Sequence, residues 1–194
     1  VTVQTEASGA AAPPLALPAR PREPLRRGAR WYSGGLHMHT VHSDGTLTVA
    51  ELSARAREAG LDFIAVTDHN NTSHQTEAVP DDGVLRIVGE EITTPGGHAN
   101  AWGIGGVRDF IDFRVGAGDP RIGDLVRAVT ARGALVSINH PGASCAGCGW
   151  EHAVPEGVTA IEITNGSHAE MAKSIALWDG LLKQGRRITG VGSS

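Results

Sequence analysis

Residues Leu36 to Thr46 read LHMHTVHSDGT, which places His37-x-His39 five residues ahead of Asp44. On a β-strand, residues i and i+2 face the same side. His37 and His39 can therefore aim two imidazoles at one point where a strand runs out into a Gly-containing loop. Imidazole together with carboxylate suits zinc, iron or manganese. For the HxH taken alone, a strand end that happens to be rich in histidine is an equally good account.

Further residues of ligand type are spread along the chain. His69 follows DFIAVT in Thr67-Asp68-His69, and Glu91 lies just past VLRIV in GEEIT. His98 opens HANAWGI, and His140 follows ALVSIN in Asn139-His140-Pro141. Of nine histidines, His37, His39, His69, His98 and His140 thus fall at or just after strand ends. That rim is where parallel α/β folds and barrels build their sites. Glu91 is the candidate bridge between cations, and Glu90 should point the other way. Asp68 is read as an acceptor orienting His69 or a water, with a turn-capping Asp as the plain alternative. His42 and His168 are candidates to touch substrate, and His74 and His152 are read as solvent or outer residues. Asn165, ending VTAIEIT, is either a substrate contact or a turn residue. Cys145-x-x-Cys148 reads as a loop, with a local disulfide or ancillary metal site as its chemical alternatives.

These positions presuppose alternating strands and helices. Leu36–Thr40, Asp62–Thr67, Val84–Val88, Ala134–Asn139, Val158–Thr164 and Arg187–Val191 have strand character. Thr48-Val-Ala-Glu51 is a capping box, in which hydroxyl and carboxylate satisfy each other's orphan amides. The helix it opens should stop at Gly60. Asp119-Pro120 should open a second helix as N-cap and first turn, with Ile122, Leu125, Val126 and Val129 on one apolar face and Gly133 at its end. Glu170–Gln184 should be a third, with Met171, Ile175, Trp178 and Leu182 inward and Gly185 closing it. Such alternation predicts an α/β fold with a parallel sheet.

The chain has 194 residues, enough for one domain with a real core. Residues 1–30 are Ala-, Pro- and Arg-rich without apolar periodicity and are expected to form a flexible leader, leaving 31–194 as the domain. A net charge of −4 disfavours a nucleic-acid surface, although a nucleotide could still bind a local cation site. No apolar run is long enough to span a membrane. No intact signal peptide is visible, which leans toward a cytoplasmic location. Oligomeric state cannot be read.

The motifs HMHTVHSDGTLTVAEL, FIAVTDHN, GEEIT, GGHANAWG and INHPG together resemble the PHP family, the polymerase and histidinol phosphatase domain. The run WYSGGLHMHTVHSDGT resembles its CehA/McbA-like metallohydrolase branch. The resemblance runs from about Trp31 to Ser194. It implies a distorted (β/α)7 barrel of the PHP type with two or three divalent metal ions, manganese, iron or zinc, at its C-terminal face. It implies ligand roles for His37, His39, Asp44, His69, Glu91, His98 and His140, with His37, His39, Glu91 and His140 at the catalytic centre. The implied chemistry is hydrolysis of a small-molecule phosphoester by a metal-bridged hydroxide, with His42 or His168 as candidates to protonate the leaving group. The family alternative is ester or carbamate hydrolysis, and the non-enzymatic alternative is a metal-binding or regulatory module. Two departures stand out. Gly35 occupies a position where the family usually has Asp. The family's final Asp-x-His, which follows a Gly-Ser-Ser strand end, is absent because the sequence stops at Gly192-Ser193-Ser194; a domain incomplete at its C-terminal end is the expectation. The amidohydrolase superfamily also begins with HxH, but it uses a strand-borne Lys, whereas Lys173 and Lys183 both fall in the third helix.

Overall fold

The computed structural model describes residues 30–104 and 111–193. The leader expected over 1–30, apart from Arg30, lies outside the described residues, as does Ser194. Seven strands form one sheet in sequential order: β1 (Gly34–Met38), β2 (Phe63–Val66), β3 (Leu85–Thr94), β4 (Gly97–Trp102), β5 (Leu135–Ile138), β6 (Ala160–Thr164) and β7 (Thr189–Gly192). Parallel pairs are β1–β2, β2–β3, β5–β6 and β6–β7. The sheet curls inward. Trp102 on β4 donates its indole N–H to the Leu36 carbonyl on β1 at 2.8 Å, and Glu162 on β6 accepts from His37 on β1 at 2.8 Å. Strands three and five places apart in the sheet could not meet across a flat surface. The α/β architecture expected from the alternation is therefore present as a curled seven-stranded sheet.

The all-parallel expectation needs one correction. β3 continues well beyond Val88 and turns back through Pro95-Gly96 into β4, which is antiparallel to both β3 and β5. Glu91 consequently lies inside a ten-residue strand rather than after one, and His98 is the second residue of the returning strand. GEEITTPGGHANAW hides this because its polar side chains face a site instead of solvent, so apolar patterning breaks down there.

Helix α1 (Val49–Glu58) opens with the Thr48/Glu51 capping box and gives way to Gly60, whose φ of 73° suits a residue without Cβ. Helix α2 (Ile122–Thr130) buries Ile122, Leu125, Val126 and Val129 against Val136, Ile138 and Ile161. Burial of each such side chain contributes about 2 kcal/mol. Its N-cap is Arg121 and not Asp119, because residues 119–123 first make a turn with i to i+3 bonds. Asp119 instead accepts from the Arg121 amide and pairs with its guanidinium.

Helix α3 (His168–Lys183) begins two residues earlier than expected, at the Ser167/Glu170 capping box. Its inward face is also displaced from the expected one. Ile175 and Leu182 are 44% and 38% exposed, whereas Ser174 and Leu181 are buried and Leu177 and Trp178 pack on the core. A serine occupies the inward stripe because the Gly142 amide, in the loop after β5, approaches closely enough to donate to its hydroxyl at 3.1 Å. No helix among the described residues is long and apolar enough to cross a membrane.

Candidate metal centre

Five strands bring their ligand-type side chains to one rim. His37 sits on β1 and His39 one residue beyond it, with their Nε2 atoms 3.0 Å apart. Two neutral imidazoles cannot share that separation without a proton or a cation between them. His69 follows β2, and an isolated bridge pairs it with Glu91 on β3. Its neighbour Asn70 takes φ 50° and bonds the backbone of Thr93 through both amide atoms. His98 comes from β4, and His140 follows β5 with φ 27°. A positive φ in a non-glycine residue is backbone strain that the surroundings must sustain.

The carboxylate of Glu91, 1% exposed, is the hub. Oε1 lies 3.2 Å from His37 Nε2, 3.3 Å from His98 Nδ1 and 3.2 Å from His140 Nε2. It also accepts from Asn139 Nδ2 at 2.9 Å. Oε2 lies 3.2 Å from His39 Nε2 and 3.0 Å from His69 Nδ1. Burial by itself would raise this carboxyl, but hydrogen bonding from His140, His37, His39 and His69 holds it far below the ordinary carboxylate range. For His37, burial opposes the charge, yet Glu162 and Glu91 on either side outweigh it and raise the imidazole to about 10. Glu90 points to the opposite face as strand alternation requires, and burial pushes its carboxyl up to about 7. Asp44 stands at the open side, 69% exposed, 3.6 Å from both His39 Nδ1 and His69 Nε2.

The donor set suits divalent cations. His37/Glu91/His140, His39/Asp44/His69 and His69/Glu91/His98 each offer ligand atoms within 4.8 Å of one another. His98 Nδ1 and His140 Nδ1 are buried without a hydrogen bond. Separations of 3.0–3.3 Å among these nitrogen and oxygen atoms are compatible with atoms bound at about 2.1 Å to a common ion. The cluster floors a cleft of about 400 Å³, walled by Ala143, Cys145, Cys148, Asn165, Gly166, Glu170 and Ser193. Cys145 and Cys148 are joined as a disulfide in that wall.

Four other expectations require correction. Asp68 does not orient His69. Fully buried, it accepts from the Thr40 amide (2.7 Å), the Thr40 hydroxyl (2.7 Å) and Ser43 (2.6 Å), with His74 3.3 Å away, and so braces the loop after β1. His42 is turned from the cleft, held between Ser73 at 2.7 Å and Glu77 at 2.8 Å. His168 is exposed at the start of α3 and absent from the cleft wall. His74 and His152 are buried rather than solvated. Asn165 does line the cleft, donating to Glu162 at 3.0 Å. Glu162 itself went unrecognised in the sequence, as did Asn139. The signal was a lone carboxylate in the apolar strand AIEIT, since a buried charge needs partners.

The family model of the PHP domain matches residues 35–134. No curated protein matches the chain. Among solved structures, similarity extends to a two-domain protein of Bacteroides vulgatus containing a predicted PHP-like metal-dependent phosphoesterase. The identity is 25% and the TM-score 0.60, over 84% of this chain and 51% of that one. The chain therefore spans about half that protein's length. A candidate metal-dependent phosphoesterase of Bifidobacterium adolescentis gives 15% and 0.60, over 84% and 87% of the two chains. An amidohydrolase of Chromobacterium violaceum, with bound sulfate and no metal, gives 17% and 0.53, over 84% and 86%. The last two likenesses concern the fold alone.

Proposed function

The chain belongs to the PHP domain family, and from that premise we infer that it is a metal-dependent hydrolase whose substrate is a small-molecule phosphoester. The observation that carries this reading is the buried carboxylate of Glu91, ringed by five imidazoles on one open cleft. A purely structural scaffold gains nothing from so costly a cluster, whereas divalent cations turn its lone pairs into bonds.

His37, His39, Asp44, His69, Glu91, His98 and His140 would hold two or three ions. When bound, such ions supply Lewis-acid activation of water and stabilise the charge that develops on the substrate oxygen. The chain's own residues set up that chemistry. Glu91, sunk among the histidines, keeps its charge and gathers five ring nitrogens around its two oxygens. Asn139 holds one of its oxygens in place. Asp44 stands where the cleft opens and leaves that side accessible. Asn165 presents an amide to a bound substrate from the wall. Neither His42 nor His168 lines the cleft, and the protonation of a leaving group is assigned to neither.

The test is direct. Protein purified without chelator is analysed for metal and assayed with manganese, iron or zinc on p-nitrophenyl phosphate, bis-p-nitrophenyl phosphate and p-nitrophenyl acetate. Stoichiometric metal with turnover of a phosphoester supports the reading. Turnover of the acetate alone replaces the substrate class with carboxylic esters. Bound metal without any turnover reduces the protein to a metal-binding module, and absence of metal overturns the reading.

A further inference from the structure

Glu162 is a charged side chain buried to 2% exposure in the middle of β6, and no ligand role falls to it. Its oxygens are fully engaged. Oε1 accepts from His37 Nδ1 at 2.8 Å. Oε2 accepts from the backbone amide of His140 at 2.8 Å and from Asn165 Nδ2 at 3.0 Å. One group thus ties β1 to the segments that follow β5 and β6. It meets His37 on the nitrogen that faces away from the cluster, while Nε2 faces Glu91 and His39.

We propose that Glu162 is the positioning residue of this centre: it keeps the proton of His37 on Nδ1, so that Nε2 offers its lone pair to a cation, and it pins the backbone that delivers His140. The inference rests on the metal-site reading above. A neutral imidazole has one proton, and a carboxylate acceptor at one nitrogen decides which nitrogen is free to ligate. For His140 the bonded group is the amide of a residue strained at φ 27°. An accepting oxygen at 2.8 Å is what that conformation needs to persist. The same carboxylate therefore governs one ligand through its ring and another through its main chain.

Glu162→Gln separates these roles from simple packing, because glutamine has nearly the same shape but only one accepting oxygen. Two donors, His140 N–H and Asn165 Nδ2–H, converge on the Oε2 side. The amide oxygen should settle there and turn its NH2 toward His37 Nδ1. His37 must then accept at Nδ1 and carry its proton on Nε2, the position needed for a cation. The experiment titrates the chelator-stripped wild-type chain and the variant with zinc alone, and reads the His37 ring nitrogens by 15N NMR in the zinc-loaded proteins.

The expected result is zinc affinity weakened about 10–100-fold in the variant, with an unchanged far-UV spectrum and an Nδ1-protonated His37 in the wild type only. Wild type that binds zinc while the variant binds it equally well overturns the positioning role and leaves the metal site standing. Wild type that binds no zinc, manganese or iron overturns the metal-site reading itself. Should Glu162→Gln not fold, the wild-type tautomer decides alone: an Nε2-protonated His37 in the zinc-loaded protein refutes the inference, and an Nδ1-protonated ring supports it.

Discussion

Single side chains at this rim have separable duties, and their substitutions should fail in different ways. His37 contributes to the cluster directly, so His37→Ala should lower metal per chain and reduce turnover by at least about 100-fold, beyond the usual loss at outer-shell partners. Elemental analysis showing unchanged metal would defeat that assignment. Asp68 contributes only through the loop it braces. Asp68→Asn replaces one of two accepting oxygens by a donor facing Thr40 and Ser43. Leaving buried donors unmet costs about 1–3 kcal/mol, which urea denaturation should detect. Glu170 illustrates a pH effect outside the cluster. Bonds from the Ser167 amide, then from Ser144, pull its carboxyl down to about 2 from an ordinary 4.5. A depressed folded-state value means that this stabilisation is complete above pH 4.5 and is lost as the pH falls through 2. The difference in urea midpoint between wild type and Glu170→Gln should therefore be constant near neutrality and shrink between pH 4.5 and 2. A difference that stays level across that window would count against the capping role.

At the scale of elements, the loop between β1 and α1 matters most, because it turns sharply while delivering His39 and Asp44. Gly45 is the tight point. A Cβ there would lie 2.4 Å from the His39 carbonyl oxygen and 2.7 Å from the Thr40 nitrogen, all of it backbone. Gly45→Ala can be accommodated only by moving His39, so zinc affinity should fall while far-UV dichroism stays near wild type. Gly60 makes the contrasting case, with positive φ but open space around it. Gly60→Ala should cost about 1 kcal/mol of stability through backbone strain and leave zinc binding unchanged. If both variants bind zinc like wild type, the loop does not hold a ligand. The β3–β4 hairpin has a parallel role for Glu91 and His98. By running β4 backwards, it brings the start of that strand to the rim where the parallel strands end, so both residues serve one site without a crossover helix.

For the molecule as a whole, the cluster is a local liability that a bound ion would convert into global stability. Ligation by the folded state alone should add about 2.7 kcal/mol at zinc concentrations 100 times the dissociation constant. For a domain of this size that raises the melting midpoint by about 5–10 °C, and a chelator should reverse it. A midpoint indifferent to both zinc and chelator would argue that the native rim binds no ion. Much of this organisation was legible in the residues alone. HxH with a following Asp, the TDH and NHP strand ends, the GEE motif and the capping box at Thr48 are local signals, set by side-chain periodicity and short-range bonding. They mark the ligand-type residues and six of the seven strands. What escaped were features defined by contacts across the chain. The inward face of α3 depends on Gly142 pressing against Ser174, the direction of β4 on its pairing with two neighbours, and the partners of Asp68, His42 and Glu162 on loops and strands distant in sequence. Residue types and spacing thus determined which groups could ligate and roughly where they lie. Only the curl of the sheet decided which of them meet, because a hydrogen bond of 2.8 Å between strands five places apart has no local trace in the sequence.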